Sequence, residues 1–189
     1  MSNLAKKIAT YEDILRLPEN LRGEIIHGEL LTSPRPSPVH QKAMAKMTSR
    51  LDSGLGEGSG GRGGWLFLTE PELHLESHII IPDIAAWRMN RVGPKFYANA
   101  WISETPDWVC EIQSPSTARI DRVTKRRVYL ELKVPHYWLL DPIAKTLEAM
   151  KIDHQGWLSV GSFGGDEVIS IDPFTDLPLD LSLFWVPMS

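Results

Sequence analysis

Two carboxylates stand in stretches that are otherwise apolar, Asp83 in IIIPDIAA and Glu111 in WVCEIQ. Taking an ionised carboxylate out of water is costly, so such a group protonates, pairs with a cationic side chain or binds a metal ion. Oxygen ligands of this kind suit Mg²⁺, with Mn²⁺ as a substitute, because the ion takes one or two carboxylates and completes its shell with water and phosphate oxygens. An ion so held activates a water and offsets charge on a phosphate, which is the chemistry of phosphodiester hydrolysis. Lys125 falls one helical turn after Asp121, where it can orient that water or neutralise developing charge.

The segment 106–142 must position most of these groups. It reads as a buried strand ending in a carboxylate, a turn, one amphipathic helix and a second buried strand. Period-two alternation puts Glu111 and Gln113 on one strand face and Trp108, Cys110 and Ile112 on the other. In the helix, Asp121, Lys125 and Tyr129 recur at steps of four and share a face. Residues 79–87 form an apolar run interrupted only by Pro82 and Asp83, which predicts one strand buried on both faces with Asp83 in the core.

Upstream, Thr10 caps a short helix with Asp13 in the capping-box position, and Pro18 stops it. Residues 22–33 read as a hairpin turning at Gly28. A helix over 38–55 presents Met44, Met47, Leu51 and Leu55 to the core. Residues 54–64 are glycine-rich without the Lys-Ser/Thr ending of a phosphate-binding loop, so they read as a mobile flap or tolerated insertion. Strands follow at 65–69 and 72–76, then a surface loop or short helix over 90–103 anchored by Phe96, Tyr97 and Trp101. Residues 146–152, 156–162 and 166–171 predict a meander that extends the sheet, and the apolar tail from Pro173 is expected to dock on the body or on a partner.

The 189 residues suit one domain, with a loose leader over 1–9 and a β extension and tail over 146–189. A net charge of −4 excludes a protein that coats nucleic acid with its whole surface, although Arg119, Arg122, Lys125, Arg126 and Arg127 form a local basic cluster. Cys110 is the single cysteine, so an internal disulfide and a cysteine-built zinc site are excluded. No apolar run approaches the ~18 residues of a membrane span, and a cytoplasmic protein without membrane contact is expected. The seven tryptophans belong to a core or an interface.

Taken in order, these motifs resemble the PD-(D/E)XK, restriction-endonuclease-like superfamily, and more closely its large family of restriction-endonuclease domains of unknown function. The resemblance is carried by Gly28-Glu29-Leu30, Ser37-Pro38 with His40-Gln41, Pro82-Asp83, Pro106-Asp107 through Thr117, Asp121-Lys125-Tyr129, and Tyr137-Trp138 through Asp141-Pro142, and it covers about residues 10 to 150. It implies an α/β fold with an αβββαβ core, a mixed central sheet flanked by helices. It also implies a Mg²⁺-dependent endonuclease acting on DNA, with Asp83 and Glu111 as metal ligands and Gln113 and Lys125 as catalytic partners. Glu24, in preference to Glu29, matches the upstream acidic ligand, and His40 a position near the site. The one departure is Gln113, which stands where the superfamily pattern has lysine; Lys125 is the natural substitute.

Each candidate has a plainer role available. Asp83 can cap a turn, Glu111 can pair with Lys125, Asp121 can serve only as a helix partner of Lys125, and Tyr129 can be core. His40 can lie at a helix start, and His27, His74, His78, His136 and His154 show no metal-ligand spacing and read as structural or surface groups. The alternative at the level of function is a nucleic-acid-binding or assembly module that keeps the fold without turnover. A homodimer is expected, and a third reading is a structural homodimer whose exposed aromatic residues form the interface.

Overall fold

The computed structural model describes residues 8–57 and 63–185. Most of the expected leader, and the middle of the glycine-rich flap at 58–62, therefore lie outside the described residues. A short helix, α1 (Tyr11–Leu15), opens with the Asp13 carboxylate accepting from the Thr10 N–H at 2.9 Å. It leads into the hairpin of β1 (Leu21–Ile26) and β2 (Glu29–Pro34), and then into α2 (Pro38–Leu55). Strands β3 (Trp65–Thr69), β4 (Leu73–Leu75), β5 (His78–Ile80), β6 (Ile84–Arg88) and β7 (Trp108–Ile112) follow. A π-helical stretch (Ile120–Lys125) runs directly into α3 (Arg126–Glu131), ahead of β8 (His136–Asp141), β9 (Thr146–Asp153), β10 (Gly156–Gly164), β11 (Val168–Ile169) and β12 (Leu179–Asp180).

Six strands form a mixed central sheet in the order β10-β9-β8-β7-β6-β3, and four form an antiparallel sheet in the order β2-β1-β5-β4. Among the strands of the described residues only β7 and β8 pair in parallel, and the chain between them is the helical crossover that parallel pairing requires. The succession α2-β3-β6-β7-α3-β8 is the αβββαβ core of the restriction-endonuclease-like fold. Side chains alternate across β7 as expected: Trp108, Cys110 and Ile112 pack with Met47 and Leu51 of α2 and with Phe174, Leu181 and Phe184 of the tail. On the opposite face, Val109 joins Val128 and Tyr129 of α3 and Ile26 and Ile80 of the smaller sheet. The tail docks on the body of the chain.

Four local readings change. Of the expected meander only β9 and β10 extend the central sheet, while β11 pairs with β12 in a separate two-stranded sheet. The run 79–87 is not one strand but two, with β5 in the small sheet and β6 in the central one. Pro82 lacks the N–H that would continue a ladder, so the chain bends there and Asp83 sits in the break. The helix after β7 is wound with a wider turn over Ile120–Lys125, which buries both Asp121 and Lys125. In 90–103, Phe96 is a buried anchor, whereas Tyr97 is exposed and Trp101, also exposed, stacks on His74.

Candidate active site

Each acidic or basic group of the site is delivered by a different element. Glu111 is the fourth residue of β7, on the face turned toward the helix. Asp83 lies in the bend between β5 and β6, and Glu24 lies midway along β1. His40 is placed by a helix start: the Ser37 hydroxyl accepts from its N–H at 3.3 Å, and Pro38 occupies the first turn. Asp121 and Lys125 come from the π-helical stretch, and Tyr129 follows one turn later in α3.

These side chains converge. Lys125 Nζ lies 3.0 Å from Glu111 Oε1 and 2.9 Å from Glu24 Oε1, and it donates to the Ile81 carbonyl at 3.1 Å. The Tyr129 hydroxyl donates to the same Glu111 oxygen at 2.5 Å, while Glu111 Oε2 accepts from the Asp83 N–H at 3.3 Å. Asp83 Oδ2 accepts from the Ile112 N–H at 2.7 Å and lies 2.9 Å from His40 Nε2. The Ile81 N–H donates to Glu24 at 2.7 Å, which fixes the upstream glutamate to the start of the bend.

A cavity of about 280 Å³ opens over this cluster, with Glu24, His40, Asp83, Glu111, Asp121 and Lys125 in its lining. Arg22, Arg35, Ser114, Ser116 and Thr117 line it too. Two expected members lie elsewhere. Gln113 does not reach the cavity; its Oε1 accepts from Arg122 at 2.8 Å, and Arg122 also pairs with Glu148 at 2.7 Å. Tyr129 is buried behind Glu111, reaching the site only through its hydroxyl. Glu29 is exposed, so the hairpin contributes Glu24 and not Glu29. Of the expected basic cluster only Lys125 lines the cavity, while Arg22 and Arg35 were not singled out by the sequence. Their only signal was position, beside Glu24 and between the prolines of 34–36.

The electrostatics show a shortage of positive charge. Burial pulls Lys125 down, but Glu111, Glu24, Asp121 and Asp83 together outweigh it and hold its ammonium above the ordinary lysine value. Burial pushes Glu111 well above the usual carboxylate range, and Lys125 only partly opposes this while three neighbouring carboxylates add to it. Its side chain meets only donors: the Lys125 ammonium, the Tyr129 hydroxyl and the Asp83 N–H. Burial likewise raises Asp121 to about 6 against the pull of Lys125. Asp83 is the exception: burial raises it, but the His40 hydrogen bond and charge, Lys125 and the Ile112 N–H bring it below its ordinary value.

The fold and this cluster define a protein of the restriction-endonuclease-like class. The chain belongs to the Uma2 family, described as "Putative restriction endonuclease", whose model matches residues 9–182. It is similar to the crystal structure of "a putative nuclease belonging to DUF820" from Anabaena variabilis, with a TM-score of 0.74 and 21% identity over 94% of this chain and 97% of that one. At that identity the likeness is one of fold. No curated protein matches the chain. Among the described residues, no helix is long and apolar enough to cross a membrane.

Proposed function

We propose that the protein is a metal-dependent endonuclease that hydrolyses DNA phosphodiester bonds in the cavity above Asp83 and Glu111. The observation that carries this reading is the excess of carboxylates: the buried Asp83, Glu111 and Asp121 and the partly exposed Glu24 line a cavity whose most buried cation is the single ammonium of Lys125. Asp83 Oδ1 and Glu24 Oε2 accept no hydrogen bond among the described residues. Oxygen donors at this charge excess fit Mg²⁺ or Mn²⁺, with Asp83 and Glu111 as the ligands and Glu24 completing the set. When bound, the ion would supply an activated water and stabilise charge on the phosphate.

The remaining work falls to the chain. His40 and the Ile112 N–H keep Asp83 ionised and fix the orientation of its carboxylate. Lys125 holds Glu111 and Glu24 in one geometry, and its ammonium can meet charge that develops on a phosphate oxygen. Arg35 gives the mouth a cationic group that a phosphodiester backbone can approach, while Arg22 is held by Glu70 at 2.7 Å. Gln113 acts at one remove, bracing Arg122 against β9.

A second reading, a nucleic-acid-binding or assembly module without turnover, is favoured by Gln113, which leaves the lysine position of the strand without a cation. Incubating the purified protein with supercoiled, linear and single-stranded DNA, and with RNA, in Mg²⁺, Mn²⁺ or chelator separates the two. Metal-dependent cleavage supports the nuclease. Salt-dependent binding of intact nucleic acid, indifferent to metal, supports the module.

A further inference from the structure

A second cluster lies outside the cavity lining. One ring nitrogen from each of His27 and His78 and one carboxylate oxygen of Glu131 all lie within 4.8 Å of one another. His27 Nε2 is 3.5 Å from Glu131 Oε2, and the two imidazoles meet edge to face with centroids 4.8 Å apart. Sequence spacing conceals the group, because its members come from the β1–β2 turn, the first residue of β5 and the last residue of α3. The turn fixes one member: His27 and Gly28 have φ of 51° and 73°, the left-handed pair of a tight two-residue hairpin, and this aims the His27 ring back across the small sheet.

We propose that His27, His78 and Glu131 form a binding site for a borderline transition-metal ion of the Zn²⁺ class, separate from the carboxylate site. Two imidazoles and one carboxylate suit such ions, whereas Mg²⁺ prefers oxygen alone. His78 is buried, while the side chains of His27 and Glu131 are 54% and 50% exposed. One ligand is therefore fixed at the floor and the remaining coordination position faces solvent. An ion taken at His78 Nδ1 displaces only a long, 3.3 Å hydrogen bond from the His27 N–H.

The placement gives the ion a structural role. The elements that meet at His27, His78 and Glu131 also meet at Lys125. Strand β1 carries Glu24 and runs into the turn that holds His27, β5 opens with His78 and leads to Ile81, and the helix carries Lys125 and then Glu131. Glu24 and the Ile81 carbonyl are both partners of Lys125. A metal clipping the outer ends of these elements together therefore steadies the inner ends. This inference is independent of the nuclease reading.

The test uses untagged full-length protein stripped with chelator and titrated with Co²⁺, whose visible absorption reports imidazole coordination, followed by competition with Zn²⁺ and with Mg²⁺. His27→Asn and Glu131→Gln remove exposed ligands, and asparagine tolerates the left-handed backbone at position 27. Wild type and Asp83→Asn are expected to bind Co²⁺ with visible bands and a rise in melting temperature, and to release it to Zn²⁺ but not to Mg²⁺. Both ligand variants are expected to lose the bands and the rise while their metal-free melting temperatures match wild type. Absence of binding in wild type, bands unchanged in the two ligand variants, or bands lost only in Asp83→Asn would overturn the proposal.

Discussion

Lys125 Nζ and Glu111 Oε1 are 3.0 Å apart in a site where both side chains are almost wholly buried, at 5% and 1% exposure. Such a pair is not a simple source of stability, since desolvating both charges costs about as much as their attraction returns. Its consequence is that neither residue tolerates the loss of the other. Because Glu24 shares the same ammonium, the lysine ties the small sheet, the central sheet and the helix at one point.

Lys125→Met is accordingly expected to leave Glu111 and Glu24 unpaired and to destabilise the protein by about 3–5 kcal/mol at neutral pH. Urea unfolding measures this directly. Millimolar Mg²⁺ or Mn²⁺ is expected to recover part of the loss, because a divalent ion can replace the missing charge. No recovery would count against the carboxylates as ligands.

Asp121 gives a prediction with a pH sign. Its carboxyl is raised from 3.8 to about 6, so the folded state binds the proton more tightly than the unfolded state between those values. Stability then falls as pH rises through that window, and above it the charged group costs up to about 3 kcal/mol. Asp121→Asn should stabilise the metal-free protein at pH 7.5, with the gain shrinking toward pH 4. Destabilisation at pH 7.5 would mean that pairing with Lys125 outweighs burial.

His40→Ala removes the hydrogen bond and charge that hold Asp83 below the ordinary carboxylate value. The Asp83 pKa should rise, and the acid limb of the pH–rate profile for metal-dependent cleavage should move to higher pH. An acid limb that stays in place would separate His40 from the ionisation of Asp83.

Gln113→Lys restores the superfamily residue in name only. Position 113 is 3% exposed, and its Oε1 accepts from Arg122. A lysine there can accept nothing and places a second cation against the guanidinium. The variant should lose about 1–3 kcal/mol and gain no cleavage rate. A gain in rate would show that the side chain can swing into the cavity.

Much of this arrangement was legible because strand alternation and helical spacing are local rules. The faces of β7 and the shared face of Asp121, Lys125 and Tyr129 follow from period, and the helix start at Pro38 from its prolines. The break at Pro82 was visible as a residue but not as a change of sheet, since which sheet each half joins depends on long-range pairing. Gln113 was assigned by alternation to the face of Glu111, yet it lies beyond the last residue of the strand, where alternation no longer governs direction. Arg22 and Arg35 in the cavity lining, and the approach of His27, His78 and Glu131, depend on tertiary closure of segments far apart in sequence.

The most direct measurement is the initial rate of plasmid nicking in Mn²⁺ by wild type and by Asp83→Asn, at equal concentration and with matched circular dichroism and melting curves. The account predicts that wild type nicks the plasmid, that chelator stops it, and that Asp83→Asn is inactive though folded. A folded Asp83→Asn protein that nicks at the wild-type rate would contradict it.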